Sequence, residues 1–263
     1  MRNYVSLNNM CFLPQLLKYN MLQITNKRDS QLYTIIIPLA IVIVSCSLLI
    51  FVNYFTIKIL SSSRAYVNGE SHYSKAQKDG TRQLTTYLFT KDSQDWIAFK
   101  KEIQVPLGDR KARLGLLNKG SILEVKKGFI EGRNHKEDLD DMIWLFVNFR
   151  NITFFETAIV KWGEADALIE KLIILGNEIN RKIISNELDL AEKKVVLGQI
   201  NTIAAQLSIC QSEFSKALGE GTRTIKNYLL IINIILTLII IGSVSTYYNV
   251  LLTKLKLLTA ETD

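Results

Sequence analysis

Two long stretches without a charged residue dominate this chain. They cover residues 30–57 and 227–253 and are rich in Ile, Leu and Val. Both exceed the roughly 20 apolar residues that a helix needs to cross a bilayer. Between them, residues 58–226 carry 26 Lys and Arg and 22 Asp and Glu, a composition that suits water. The sequence therefore predicts a membrane segment, a water-exposed domain and a second membrane segment.

The charge pattern sets the expected domain boundaries. Residues 1–30 form an N-terminal cytoplasmic tail, 31–57 a first transmembrane helix, 58–226 a periplasmic helical domain, 227–252 a second transmembrane helix, and 253–263 the start of a cytoplasmic linker. The first apolar segment begins too late and is too long for a secretory signal, so we expect a retained anchor. Lys and Arg near the segments slightly favour cytoplasmic termini, although this rule is weak for a long loop.

Overall composition excludes some classes of protein. The net charge is +7, but the Lys and Arg residues form no long stripe along the sequence. Nucleic acid is therefore not an expected partner. Cys210 is the one cysteine of the middle domain, which therefore closes no internal disulfide. Three prolines and few clustered turn residues favour a mostly helical domain.

Apolar residues at three- and four-residue steps predict the helices of the middle domain. One such face runs from Tyr66 to Tyr87, and no turn signal separates it from the first apolar segment. We therefore expect one long helix through both. The stretch 92–95, with two aspartates and a serine, can cap a second helix.

A break is predicted next at residues 105–109, where Asp109 would cap a new short helix. Further helices are expected at 121–130, 135–150 and 152–183, with turns at 131–134 and 185–187.

The last helix has the clearest pattern. Its apolar seam resembles a coiled-coil heptad and runs on toward the second apolar segment: Val196, Ile200, Ile203, Leu207, Cys210, Phe214 and Ala217. The expected fold class is all-α, with two transmembrane helices flanking an extracytoplasmic up-down helical bundle of the four-helix type.

Motifs of known enzymes are missing from the sequence, so no catalytic residue, metal or cofactor is expected. His135 lies near Asp138, which fits either an acidic first turn of a helix or part of a metal site. Trp96, Trp144 and Trp162 fit either core packing or the wall of a ligand pocket.

Five strings, in this order, resemble the extracytoplasmic helical sensor module of bacterial histidine kinases and diguanylate cyclases. They are RAYVNGESHYSKAQKD at 64–79, VPLGDRKARL at 105–114, NHKEDLDDMIWLF at 134–146, KWGEADALIEKL at 161–172 and GEGTR at 219–223. The resemblance covers roughly residues 60 to 250. It implies a protein of the bacterial inner membrane that carries a periplasmic sensor domain. Its two membrane helices would relay a signal inward.

The expected function is the input part of a transmembrane signalling receptor, with the cytoplasmic output domain missing from this chain. The alternative is a stand-alone two-span interaction or scaffold protein. Expected partners are the lipid bilayer, a second copy of the chain in a homodimer, and a small ligand or periplasmic protein. Candidate ligand-binding residues are Arg64, Tyr66, Glu70, Lys75, Lys78, His135, Asp138 and Trp144.

Overall fold

The computed structural model describes the backbone of residues 12–260 and the side chains of 33, 36–257, 259 and 260. These residues form helices and no strand: α1 Phe12–Thr90, α2 Ser93–Leu117, α3 Ile122–Glu131, α4 Leu139–Phe149, α5 Thr153–Ile184 and α6 Leu190–Ala260. A 3-10 turn, Lys136–Asp138, precedes α4. The predicted all-α class is confirmed. Parts of the predicted tail and linker, residues 1–11 and 261–263, lie outside the described residues.

Two helices, α1 and α6, are long and apolar enough to cross a membrane. Almost none of the side chains in their apolar windows is buried within the chain, unlike those of a core helix in a water-soluble protein. The prediction that α1 runs without interruption from its apolar segment to Thr90 is confirmed. The same holds for α6, which continues its apolar seam through the second apolar segment.

The chain divides into two compact units, one of Phe55–Tyr228 and one of Met1–Tyr54 with Leu229–Asp263. In the second unit, the Asn233 side-chain amide donates a hydrogen bond to Asn53 Oδ1 at 3.2 Å. Such a bond joins the two apolar helices and stabilises their pairing by about 0.6 kcal/mol in a membrane.

The core of the Phe55–Tyr228 unit follows the predicted apolar faces. On α1, every residue at the predicted three- and four-residue steps is buried: Tyr66, Gly69, Tyr73, Ala76, Gly80, Leu84 and Tyr87. The seam of α6 is buried as well, apart from the half-buried Ile203. Periodic burial of this kind is what fixes amphipathic helices against one another.

Local caps explain where the helices start and end. The Asp92 side chain accepts a hydrogen bond from the Gln94 amide and so caps α2, which confirms a cap within the predicted stretch 92–95. After α3, Arg133 takes a left-handed φ of 63°, and the Asn134 amide bonds back to the Phe129 carbonyl at 2.9 Å. This is a Schellman ending, and it places Asn134 immediately beyond α3.

The predicted break at residues 105–109 is wrong. Helix α2 continues through Pro106, and Asp109 is a buried residue of its interior rather than a cap. A proline inside a helix removes one hydrogen bond and costs about 3 kcal/mol. Burial of Ile103, Val105 and Ala112 on either side of Pro106 offsets this cost.

Candidate ligand-binding cavity

A cavity of about 50 Å³ lies within the Phe55–Tyr228 unit, and all six helices or their ends contribute to its wall. Its apolar surface consists mainly of Tyr66, Phe129, Met142, Trp162 and Phe214. One water molecule needs about 10–15 Å³ of cavity volume. The cavity therefore holds roughly four water molecules or a ligand of similar size. A mostly apolar pocket with a few polar groups is typical of a small-molecule site.

Two polar atoms at this cavity have no hydrogen-bond partner in the described part of the chain. They are the Tyr73 hydroxyl and the Gln211 amide nitrogen, and both atoms are buried. Leaving a buried polar group unpaired costs about 1–3 kcal/mol. A bound water or ligand in the cavity would supply the partners that the protein does not.

Asp109 is the buried carboxyl of the cavity wall, with 4% of its surface exposed. The Asn134 side-chain amide donates to Asp109 Oδ1 at 2.8 Å and also to the Phe129 carbonyl at 3.0 Å. Burial raises the pKa of Asp109 well above its ordinary value, and the charge of Asp166 raises it further. The hydrogen bond from Asn134 opposes this shift in pKa.

Two glycines make room for the Asp109–Asn134 pair. A Cβ atom at Gly69 in α1 would collide with Asn134 Oδ1, and one at Gly132 would collide with Asp109 Oδ1. The absence of side chains at these positions lets α1 and the end of α3 approach the pair closely. Both glycines therefore have a steric role in building the cavity wall.

A buried ion pair lies next to the cavity. Arg113 Nε and Nη2 contact Asp166 Oδ2 at 2.9 and 2.7 Å. Burial raises the pKa of Asp166 to about 6, although Arg113 opposes the shift. The pKa of Tyr73 is also raised, first by burial and then by the negative charges of Asp166 and Asp109. These groups form one buried polar cluster among α1, α2 and α5.

Charged residues surround Lys161 at the cavity wall. Its ammonium contacts Glu164 Oε2 at 2.9 Å and Glu213 Oε2 at 3.0 Å, and these hydrogen bonds raise the pKa of Lys161. The Cys210 thiol donates a weak hydrogen bond to Glu164 Oε2 at 3.9 Å. With Glu70 also lining the cavity, this side of the site has more acidic than basic groups.

Of the candidate residues from the sequence, Tyr66 and Glu70 line the cavity. The ring of Tyr66 forms part of the wall, and its hydroxyl donates to the Met142 carbonyl at 3.0 Å. Lys75 and Lys78 border a different, open depression that Glu70 shares.

The remaining candidates lie elsewhere in the same unit. Arg64 contacts Asp138 at 3.7 Å, and Asp138 and His135 border a separate pocket. Trp144 packs edge-on against Phe55, at 5.9 Å between ring centroids, rather than at the cavity. Among the described residues, no group of three His, Cys, Asp or Glu side chains is placed to hold a metal ion.

Sequence reasoning missed several residues of the cavity, chiefly Tyr73, Asp109 and Gln211, whereas Trp162 lies in the wall, one of the two positions that the sequence left open for it. Four of the five strings that carry the family resemblance do contribute lining residues, in particular Glu70, Asp109, Asn134 and Lys161. These four strings are the sequence signal that could have pointed to the four residues, but only the structure shows that they meet in one cavity. A comparison with protein-family models, curated proteins and solved structures finds no match to this chain.

The raised pKa values of Asp109 and Asp166 predict a pH dependence of stability. Both side chains bind protons more tightly in the folded state than in the unfolded chain, where the pKa is about 3.9. Unfolding therefore becomes easier as the pH rises from about 4, and for Asp166 the change is complete above about pH 6. Asp109→Asn removes one ionising group, so its thermal midpoint should exceed that of the wild type by a margin that grows as the pH rises above about 4.

Thermal unfolding followed by circular dichroism in nanodiscs measures this margin. The matched control is Asp140→Asn, which changes an exposed carboxylate paired with Lys126. A midpoint for Asp109→Asn that falls below the wild type at pH 9 would contradict the direction given for the pKa of Asp109.

Proposed function

We propose that this chain is the input part of a bacterial transmembrane signalling receptor. In this proposal the Phe55–Tyr228 unit is a periplasmic helical bundle, α1 and α6 cross the inner membrane, and both termini are cytoplasmic. The observation that carries the proposal is the cavity, whose wall includes Tyr73 of α1 and Gln211 of α6, both with unpaired polar atoms. These are the two helices that contain the apolar segments.

A stimulus that fills the cavity would contact both long helices at once. Since packed interfaces shift by small discrete steps, occupancy would favour one arrangement of α1 against α6, and each helix would carry that change along its length. The five strings that resemble the sensor module support the same function. A homodimer and a cytoplasmic output module of the kinase or cyclase type complete the proposed receptor.

Topology provides the first test. Residue Ser121 lies exposed in the short connection between α2 and α3, so a reporter inserted there should leave the helices intact. We expect alkaline phosphatase, which is active only outside the cytoplasm, to be active at this site, with the same reporter after Leu257 inactive. The reverse pattern of phosphatase activity would refute the receptor topology.

Signal output separates the receptor from the scaffold alternative. A diguanylate cyclase module fused after α6 should change its activity at least twofold when Ala165→Leu fills part of the cavity wall. Ala205→Leu, on the exposed face of α6, is the matched control and should leave cyclase activity unchanged. Equal cyclase activity of the Ala165 and Ala205 variants would favour the scaffold alternative.

A further inference from the structure

The charges around the cavity favour a positively charged ligand. Asp109 has no ion-pair partner in the described part of the chain, since Asn134 is the polar group that contacts its carboxyl. The one basic residue of the lining, Lys161, is already held by Glu164 and Glu213. An anion entering this site would meet the carboxyl groups of Asp109 and Glu70 and no basic group that is free to pair with it, whereas an ammonium ion could form an ion pair with Asp109.

Aromatic rings gathered around Trp162 also line the cavity. The ring centroid of Trp162 lies 6.3 Å from Tyr66, 6.4 Å from Phe129 and 6.3 Å from Phe214. The faces of aromatic rings attract cations, and the attraction grows when water is excluded. Rings of this kind also cover alkyl groups, so they suit a cation with an apolar body.

We propose that the cavity binds a small alkylammonium ion. Its ammonium group would form an ion pair with Asp109 and a hydrogen bond to the unpaired Tyr73 hydroxyl, while its alkyl part would lie against Trp162 and its neighbouring rings. The volume of about 50 Å³ limits the ligand to roughly four non-hydrogen atoms, on the scale of one water per 10–15 Å³. This inference rests on the proposed function, because it identifies the chemical class of the ligand to which the receptor would respond.

Three probes of nearly equal size and different charge test the proposal. They are isopropylammonium, propan-2-ol and acetate, each titrated into the full chain in nanodiscs at constant ionic strength. We expect isopropylammonium to bind at least tenfold more tightly than propan-2-ol and to raise the thermal midpoint, with acetate giving no shift. Equal effects of amine and alcohol, or no effect of any probe, would mean a cavity filled by water or a neutral molecule and would overturn the proposal.

Two variants locate the binding site. Asp109→Asn keeps the size of the side chain and its acceptor for Asn134, so it should fold and lose at least tenfold in affinity for isopropylammonium. Tyr73→Phe removes only the unpaired hydroxyl and should weaken binding by a smaller factor. Asp140→Asn on the exposed face of α4 is the matched control. Unchanged amine affinity in Asp109→Asn would exclude this carboxyl as the binding group.

Proton release gives an independent readout at Asp109. The surrounding charges come from Glu70 on α1, Arg113 on α2, Lys161 and Asp166 on α5 and the acidic partner of Lys161 on α6, Glu213. A cation that pairs with Asp109 must displace its proton when the carboxyl is neutral. Amine affinity should therefore rise with pH, and the calorimetric heat should vary with the ionisation enthalpy of the buffer. Both effects should disappear in Asp109→Asn.

The outcome of these titrations is separable from the test of the receptor. Amine binding without any change in the activity of the fused cyclase would refute the signalling function and leave the ligand class intact. A cyclase response to Ala165→Leu without amine binding would leave the receptor intact and refute the ligand class.

Discussion

Arg113→Met should destabilise the Phe55–Tyr228 unit by about 3–5 kcal/mol, because it leaves a buried carboxylate without its partner. The side chains of Arg113 and Asp166 are only 11% and 4% exposed and lie 2.7 Å apart. Without the guanidinium, burial is no longer opposed by an adjacent positive charge, so the pKa of Asp166 should rise further. Much of the loss in stability should then be recovered at low pH, where Asp166 is protonated. Chemical denaturation at pH 5 and pH 8 measures both effects.

A double-mutant comparison distinguishes the lost ion pair from lost packing. Replacing both partners, as Arg113→Met with Asp166→Leu, should cost much less than Arg113→Met alone, since no buried charge is left unpaired. Lys126→Met breaks the exposed pair with Asp140, whose side chain is 79% exposed, and should cost less than about 1 kcal/mol. A double variant as unstable as Arg113→Met would show that packing of the arginine stem dominates.

The helices themselves were predictable because their signals are local. Burial on α1 from Tyr66 to Tyr87 repeats at three- and four-residue steps, and so does the seam of α6 from Val196 to Ala217. The start of α2 follows from Asp92, whose side chain accepts a hydrogen bond from the backbone amide two residues later, at Gln94. Periodicity and caps depend on neighbours within about one or two helical turns, and the sequence contains those neighbours in full.

The error at Pro106 has a non-local cause. The run of Pro106, Leu107 and Gly108 has the composition of a turn, yet in the structure it lies inside α2, where Pro106 and Gly108 are buried. Once a break is assumed there, Asp109 is interpreted as an exposed cap instead of a buried carboxyl. The same error therefore hid the central acidic group of the cavity.

Most of the cavity could not be inferred from one sequence, because it joins distant residues. Tyr73 lies on α1 and Gln211 on α6. Asp109 of α2 is paired with Asn134, which follows the end of α3. Each of these polar groups lowers stability when it is buried without an adequate partner. Groups that stabilise a fold poorly and converge on one pocket are typical of functional sites, which is the physical reason for assigning the ligand to this cavity.

Gly128→Ala should lower stability by about 2–3 kcal/mol or more, since an added methyl group has no space between α2 and α3. A Cβ atom at Gly128 would lie 2.7 Å from the Ala112 amide nitrogen and 2.8 Å from the Gly108 carbonyl oxygen. These are backbone atoms, so no side-chain rotation relieves the overlap and the two helices must separate. Separation would also displace Phe129, which follows Gly128 and lines the cavity.

Gly198→Ala is the matched control, because it makes the same change within a helix where a Cβ atom meets nothing within 4 Å. Alanine forms helices better than glycine, so Gly198→Ala should stabilise the protein by about 0.5–1 kcal/mol. The two variants should thus shift the thermal midpoint in opposite directions. A stabilising Gly128→Ala would show that α2 and α3 are not in close contact at this point. The position of Phe129 in the cavity wall would then have to be revised as well, because the α2–α3 contact is what fixes it.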